Sequence, residues 1–260
     1  MEFKTMQWNI GGGRVRNTDA DSQAYSSYAN GEERLEIIAE TIKATQADLV
    51  TLQETHADRI RIQANLLAER TDLSYWVHDV YDESHLKKGQ GLGQAVLSRF
   101  PILSHRFEFF ENPKLEMTAP TGEHWKMHNK GTTTVELDLG EAHLELKTLH
   151  VFPYRKFGSD PCSDEPRVKV SRESIEDKLH SNARLLLIQG DFNYDGESLK
   201  LFLPGLFEAG IQEILQQEPT TPKGRHYDHA LYRGFEIISS HTLTNVLTDH
   251  YPIVSTFRIE

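Results

Sequence analysis

The sequence predicts an α/β fold, a layered sandwich of two packed, mixed or antiparallel β-sheets flanked by helices. Short apolar segments with strand-like composition greatly outnumber segments with helical spacing. Several of those strands are apolar nearly throughout, notably Leu185-Leu186-Leu187-Ile188, which requires burial on both faces. The helical patterns are amphipathic, so each can cover a sheet on one side.

The strands expected in chain order are 5–10, 48–53, 74–80, 94–98, 102–109, 133–139, 143–150, 184–189, 229–232, 235–240 and 253–258. A helix is expected from Glu32 to Thr45, where Leu35, Ile38 and Ile42 recur at helical spacing and Ile37 widens the face. A second is expected from Ala57 to Arg70, and a more polar third from about Val168 to Leu179, with Val170, Ile175 and Leu179 as contacts. Long polar loops are expected from Gly11 to Gly31, Glu111 to Gly131 and Phe152 to Pro166. No repeat or linker divides the chain, so residues 1–260 are read as a single domain.

Lys and Arg number 28 against 39 Asp and Glu, a net charge of −11, which disfavours a general polyanion coat. It does not exclude an enzyme, because a metal ion and a few local cations can hold a phosphate on an acidic protein. The N-terminal residues lack the apolar centre of a secretory leader and no stretch is long enough to span a bilayer, so a cytoplasmic protein without membrane insertion is the expectation. The single cysteine, Cys162, excludes an intrachain disulfide and multi-thiolate zinc sites, leaving oxygen and imidazole as metal ligands.

Polar residues concentrate where strands finish. The segment 48–52 runs into Gln53-Glu54, 185–188 into Gln189-Gly190-Asp191-Phe192-Asn193, 144–149 into His150, and 6–8 into Asn9. Any one of these could be turn chemistry. Two Asp-His pairs, Asp228-His229 and Asp249-His250, add imidazoles that a carboxylate can orient and keep charged. Most of the 13 histidines are read as bystanders, among them His56, His78, His85, His105, His143, His180 and His241.

Taken in order, Trp8-Asn9-Ile10, Leu52-Gln53-Glu54, 97–102, Thr148-Leu149-His150, Gly190-Asp191-Phe192-Asn193, Tyr227-Asp228-His229 and 248–253 resemble the motif series of the endonuclease/exonuclease/phosphatase superfamily. The resemblance covers the chain from Asn9 to Ile253. It implies two packed β-sheets flanked by helices, phosphoester hydrolysis and a Mg²⁺ or Mn²⁺ cofactor. Relatives include DNases, abasic-site endonucleases, enzymes that release tyrosine from DNA ends, sphingomyelinases, inositol polyphosphate phosphatases and RNA deadenylases, so it does not fix a substrate.

Carried over by position, the resemblance implies that Glu54 is the principal metal carboxylate, with Asn9 beside it and Asp249 a ligand of a second or shifted ion. Asp191 would orient or deprotonate water, Asn193 hold a phosphate oxygen, His150 contact phosphate, and Asp228 hydrogen-bond to His250. Ser98 and Arg99 fall in a motif of structural role. Lys130 stands where relatives often carry arginine, a point charge in place of a bidentate fork. No carboxylate or tyrosine is evident beside Gly91-Leu92-Gly93, where the DNase branch has further catalytic groups.

After His150, the alternating cations and aromatics Tyr154, Arg155, Lys156 and Phe157 suggest substrate contacts: Arg155 and Lys156 for phosphate, and Tyr154 for stacking on a base or covering a lipid or inositol ring. The alternative is a surface loop with solvated charges and a core-anchored aromatic. The expected function is a metal-dependent phosphodiesterase or nuclease on DNA or RNA. Alternatives are hydrolysis of a small-molecule or lipid-headgroup phosphate and, from another class, a catalytically silent binding member. The number of metal ions and the leaving-group acid stay open.

Overall fold

Each of the two large sheets is built around one parallel pair of strands, and every other strand in it is added antiparallel. The computed structural model describes residues 1–15 and 32–259, so the loop expected from Gly11 lies, beyond Val15, outside the described residues. In chain order the strands are β1 (Glu2–Asn9), β2 (Arg14–Val15), β3 (Glu32–Glu33), β4 (Leu49–Ala57), β5 (Tyr75–Glu83), β6 (Gly91–Ser98), β7 (Ile102–Phe109), β8 (Glu116–Thr118), β9 (His124–Lys126), β10 (Gly131–Asp138), β11 (His143–His150), β12 (Leu186–Asp191), β13 (Gln212–Ile214), β14 (Asp228–Arg233), β15 (Glu236–Thr242) and β16 (Ile253–Arg258). The helices are α1 (Leu35–Thr45), α2 (Gln63–Thr71), α3 (Pro166–Leu179) and α4 (Pro204–Glu208).

One sheet has the order β15-β16-β1-β4-β6-β5 and the other β13-β14-β12-β11-β10-β7. The parallel pairs are β1 with β4 and β11 with β12. Both pairs lie inside their sheets, where neighbours on either side satisfy their backbone groups. The sheets stack face to face over a core that includes Phe3, Leu49, Val96, Leu146, Leu185, Leu187 and Phe257. Helices α1 and α2 close the outer face of the first sheet, with Leu35, Ile38, Ile42 and Leu67 packed on Met6, Val50 and Leu97. Helix α3 closes the second through Val168, Ile175 and Leu179 on Leu149, Leu186 and Ile188. Thus Leu185 and Leu187 face the other sheet while Leu186 and Ile188 face the helix, as the apolar run requires. The layered α/β sandwich expected from the sequence is the fold observed.

Local chemistry moved some boundaries. Helix α1 starts at Leu35 because Glu32–Glu33 pairs with Arg14–Val15 instead. Helix α2 starts only at Gln63: β4 continues to Ala57, and Asp58 Oδ1 then accepts the amides of Ile60 and Arg61, each at 2.8 Å, in a turn that the helical reading overlooked. On α3, Pro166 begins the helix and Glu165 caps it by accepting Val168 N at 3.1 Å. Val170, expected as a contact, is exposed, and Val168 and Ser171 take the inner positions. The loop expected from Glu111 to Gly131 contains the hairpin β8–β9.

Candidate active site

The C-terminal ends of both parallel pairs open on the same side. Asn9 ends β1, Gln53 and Glu54 lie on β4, His150 ends β11, Asp191 ends β12 and Asp228 begins β14, directly opposite Asp191 in the ladder. A layer of buried amides and hydroxyls between the sheets supports these ends. Gln7 Nε2 donates to Gln53 Oε1 at 2.6 Å and to Asp228 Oδ1 at 3.0 Å, and Gln53 donates to Thr148 at 2.9 Å. In this network each polar side chain fixes the next, so the site stands on a rigid base.

Two β-bulges aim side chains into the opening. Between β4 and β6 the register shifts at Glu54, which adopts φ 54°, and between β5 and β6 it shifts at Tyr81. A bulge throws its extra residue out of the alternating pattern and redirects it. Both flank Gly93, where a Cβ would come 2.3 Å from the Asp79 carbonyl oxygen, so only glycine lets the two bulged strands close on it. Pairing across the sheet thus brings a tyrosine, Tyr81, beside Gly93, where the local sequence shows none. Its pattern signal was weak: it is the one fully buried residue of a strand otherwise half-buried or exposed.

Asp191 lies at the centre, almost fully buried. Its Oδ2 accepts from Asn9 Nδ2 at 2.9 Å and lies 3.3 Å from His150 Nε2 and 3.7 Å from His250 Nε2; its Oδ1 accepts the Asn193 amide at 2.8 Å. Burial pushes the Asp191 carboxyl up to about 7, with the Asp228 carboxylate adding to the rise and His250 opposing it. Asn193, at φ 49°, is held by donating to Val151 O at 3.0 Å.

The two histidines are tuned in opposite directions. His250 Nδ1 lies 2.7 Å from Asp228 Oδ2, and its backbone carbonyl accepts from Trp8 Nε1 at 3.0 Å and Thr248 Oγ1 at 2.6 Å. Burial works against its charge, but Asp228 and Asp191 together raise its pKa well above the ordinary histidine value, so His250 is an imidazolium. His150 is driven well below that value by burial, then by Lys130 and His250, and is neutral. Lys130 Nζ lies 2.9 Å from its Nδ1 and 3.2 Å from its Nε2, and Tyr81 Oη lies 3.0 Å from Nδ1.

Lys130 is thus an inner residue, buried beside His150 and 4.7 Å over the Tyr81 ring. Burial lowers its ammonium to about 8 against the pull of Glu54 and Asp191. Glu54 Oε1 lies 3.9 Å from His150 Nε2. Asn9 orients Asp191 with its amide nitrogen while its oxygen accepts Gly11 N at 3.1 Å. Asp249 is half-buried, and its charge acts on the adjacent His250. Ser98 and Arg99 lie away from the site: Ser98 bonds to the Phe100 backbone and Arg99 pairs with Asp48 at 2.6 Å.

The cation-aromatic segment divides. Tyr154 is a core residue, 1% exposed, packed edge-on against Phe152 and Phe202 and bonded to Ser171 Oγ at 2.7 Å. It has no free face for a base or ring, which corrects the stacking role expected of it. Arg155 acts on Cys162 and Tyr194, whereas Lys156 acts toward Glu54 and sits 4.6 Å over Trp125.

Oxygen donors at Glu54 and Asn9 beside Asp191 suit a hard divalent cation. The buried trio Asp191, Asp228 and His250 has ligand atoms within 4.8 Å of one another, but Asp228 already uses one oxygen for His250 and the other for Gln7. Glu54 and Asn9 offer further oxygen donors beside this trio that could hold an ion. No helix among the described residues is long and apolar enough to cross a membrane.

The profile of the Endonuclease/Exonuclease/phosphatase family matches residues 6–250. No curated protein matches. Among solved structures, an endonuclease/exonuclease/phosphatase from Beutenbergia cavernae aligns with TM-score 0.72 at 19% identity, over 99% of this chain and 72% of that one. A mannosyl-6-phosphatase from Bacteroides thetaiotaomicron gives 0.64 at 14% identity, over 99% and 100%. TDP2 of D. rerio, complexed with single-strand DNA product, gives 0.61 at 13% identity, over 99% and 99%. These likenesses show a shared fold, and the family match over nearly the whole chain places it in a group of phosphoester hydrolases. The chain is a member of the endonuclease/exonuclease/phosphatase family.

Proposed function

We propose that the chain is a divalent-metal-dependent phosphoester hydrolase in which water attacks phosphorus in line. The observation that carries this reading is the convergence of two oppositely tuned histidines on one buried carboxyl: Asp191 Oδ2 lies 3.3 Å from Nε2 of His150, held neutral, and 3.7 Å from Nε2 of His250, held charged. A carboxyl pushed up to about 7 is matched to taking a proton from water at neutral pH. Imidazolium His250 and the side-chain amide of Asn193 would face the growing negative charge on the equatorial oxygens, with His150 beside them as a phosphate contact. Lys130 and Tyr81 hold the His150 ring in place. Mg²⁺ or Mn²⁺ held at Glu54, with Asn9 and Asp249 as further ligands, would supply Lewis-acid polarisation of a phosphoryl oxygen.

The nucleic-acid diester reading stays the first expectation for substrate, with the DNA product bound to TDP2 as its support. A small phosphorylated molecule is the second, favoured by the removal of Tyr154 as a stacking platform and by the mannosyl-6-phosphatase likeness. A panel of single-stranded and duplex DNA, RNA, DNA-end adducts, sugar and inositol phosphates and sphingomyelin, assayed with Mg²⁺, Mn²⁺ or chelator, tests the proposal. Metal-dependent turnover of at least one class is expected. A folded protein inert on every class would favour the silent binding member.

A further inference from the structure

On the reading that this site hydrolyses phosphoesters, we propose that His85, His128 and Lys156 form a second phosphate subsite beside the scissile position. The preferred substrate is then a phosphoester that bears a second phosphate group. These residues come from three separate segments, the turn after β5, the segment between β9 and β10, and the 3₁₀ turn at Tyr154–Phe157 that follows β11. None belongs to the residues assigned above to water activation or metal binding.

The geometry is that of a rim built to receive an anion. The His85 and His128 rings face one another at 5.1 Å between centroids. His128 Nδ1 lies 3.5 Å from Asp82 Oδ2, and Asp82 also accepts the Asn129 amide at 2.7 Å, so the segment carrying His128 is pinned. Lys156 Nζ is placed over the Trp125 ring, a contact that holds an ammonium without neutralising it. The rim is continuous with the active site, since His85 and His128 both act through space on His150.

Positive groups crowd there against the −11 charge of the whole chain. Lys130, Lys156 and Arg14 all act on His85, and Arg14 ties the turn by donating to Leu86 O. His85 reaches solvent, yet protein atoms surround it closely enough that burial, then His128 and these cations, depress its pKa to about 3. His128 is lowered by burial and by Lys130, with Asp82 and Glu54 opposing. A phosphate dianion would reverse the balance by accepting from both rings and from Lys156. Nearness to Glu54 and His150 puts that phosphate next to the scissile one.

The second phosphate could be the neighbouring one on a nucleic-acid strand or one on a small molecule, and two ligand pairs distinguish these sources. Affinity is measured by calorimetry with Mg²⁺ in an Asp191→Asn background, so that turnover does not interfere. One pair is fructose 6-phosphate against fructose 1,6-bisphosphate; the other is dithymidine monophosphate against its form phosphorylated at the 5′ end. In at least one pair the second phosphate should tighten binding about tenfold or more, as charge-assisted contacts do. His85→Ala with His128→Ala, and separately Lys156→Ala, should remove most of that gain while changing affinity for the singly phosphorylated partner less. The pair that shows the gain identifies the source. No gain in either pair, or a gain that survives both sets of substitutions, overturns the proposal. Because the readout is a ratio of affinities, failure here is distinct from failure of the hydrolase reading, which is tested by turnover.

Discussion

Replacing Asp228 by asparagine removes one charge at the most tightly determined point of the site. Both Asp228 oxygens accept, one from Gln7 Nε2 at 3.0 Å and one from His250 Nδ1 at 2.7 Å. Asparagine offers one acceptor and one NH₂, so one of the two donors must face another donor. An unsatisfied buried group of this kind costs about 1–3 kcal/mol, a fall in melting temperature of roughly 2–4 °C per kcal/mol for a chain of this size. The loss in catalysis should be larger, because His250 loses both its orientation and the carboxylate that keeps it charged. Positioned acid-base groups contribute about 10²–10⁴-fold, or roughly 3–5 kcal/mol at 1.36 kcal/mol per tenfold. With the raised pKa gone, activity that needs imidazolium should also decline as pH rises through about 6.5, the ordinary histidine value. The assay is kcat/KM against pH on the best substrate, with thermal melts of the same samples, for Asp228→Asn, His250→Ala and the double variant. Two members of one unit should be non-additive. Rate losses that simply multiply, or a loss accounted for entirely by unfolding, would refute the coupling.

Glu54→Gln keeps the size of the side chain but removes the ligand charge; Mg²⁺ affinity by titration calorimetry and turnover should both fall steeply while the fold persists. Unchanged values of both would remove Glu54 from the metal site. Tyr154→Ala should destabilise the fold by about 3–5 kcal/mol, the range for emptying a large aromatic from a core, while leaving KM of the surviving folded protein near wild type; a selective rise in KM at normal stability would restore the stacking role. The buried pair His229 and Glu213, 2.9 Å apart, makes a pH prediction. Burial lowers the His229 pKa, but hydrogen bonding and charge from Glu213 outweigh it and the net shift is upward. Its stabilisation is therefore fully present below about 6.5 and lost as pH rises through the higher folded value. Glu213→Gln should cost more stability at acidic than at alkaline pH in urea melts, and equal losses at both would contradict the pairing.

The layered fold could be read from the chain because its signals are local. The Leu185–Ile188 run and the spacing of Leu35, Ile38 and Ile42 each demand a particular burial, and the tertiary structure satisfies them. Candidate residues at strand ends were legible for the same reason: strands that finish on His150 and Asp191 must bring those groups to one edge when they pair in parallel. Tyr81 and the aim of Glu54 were not, because both depend on bulges, which are properties of a strand pair and leave no mark on one strand. Lys130 was placed by its position before β10, but its burial beside His150 depends on the register of β10 with β11 and leaves no mark on the local sequence. Tyr154 was misplaced because its charged neighbours Arg155 and Lys156 suggested substrate contact, while the 3₁₀ turn rotates Tyr154 into the core and packs Phe157 against it. His85, dismissed among many histidines, gains a partner only when His128 arrives from a distant loop.

Hydrolysis in ¹⁸O-labelled water tests the central claim, that water activated at Asp191 attacks phosphorus. With Mg²⁺ and the best substrate of the panel, one labelled oxygen should appear in the phosphate-bearing product and none in the released alcohol, and Asp191→Asn should suppress the labelled product by about 10²–10⁴-fold. Label in the alcohol, or turnover in Asp191→Asn at the wild-type rate, would contradict the account.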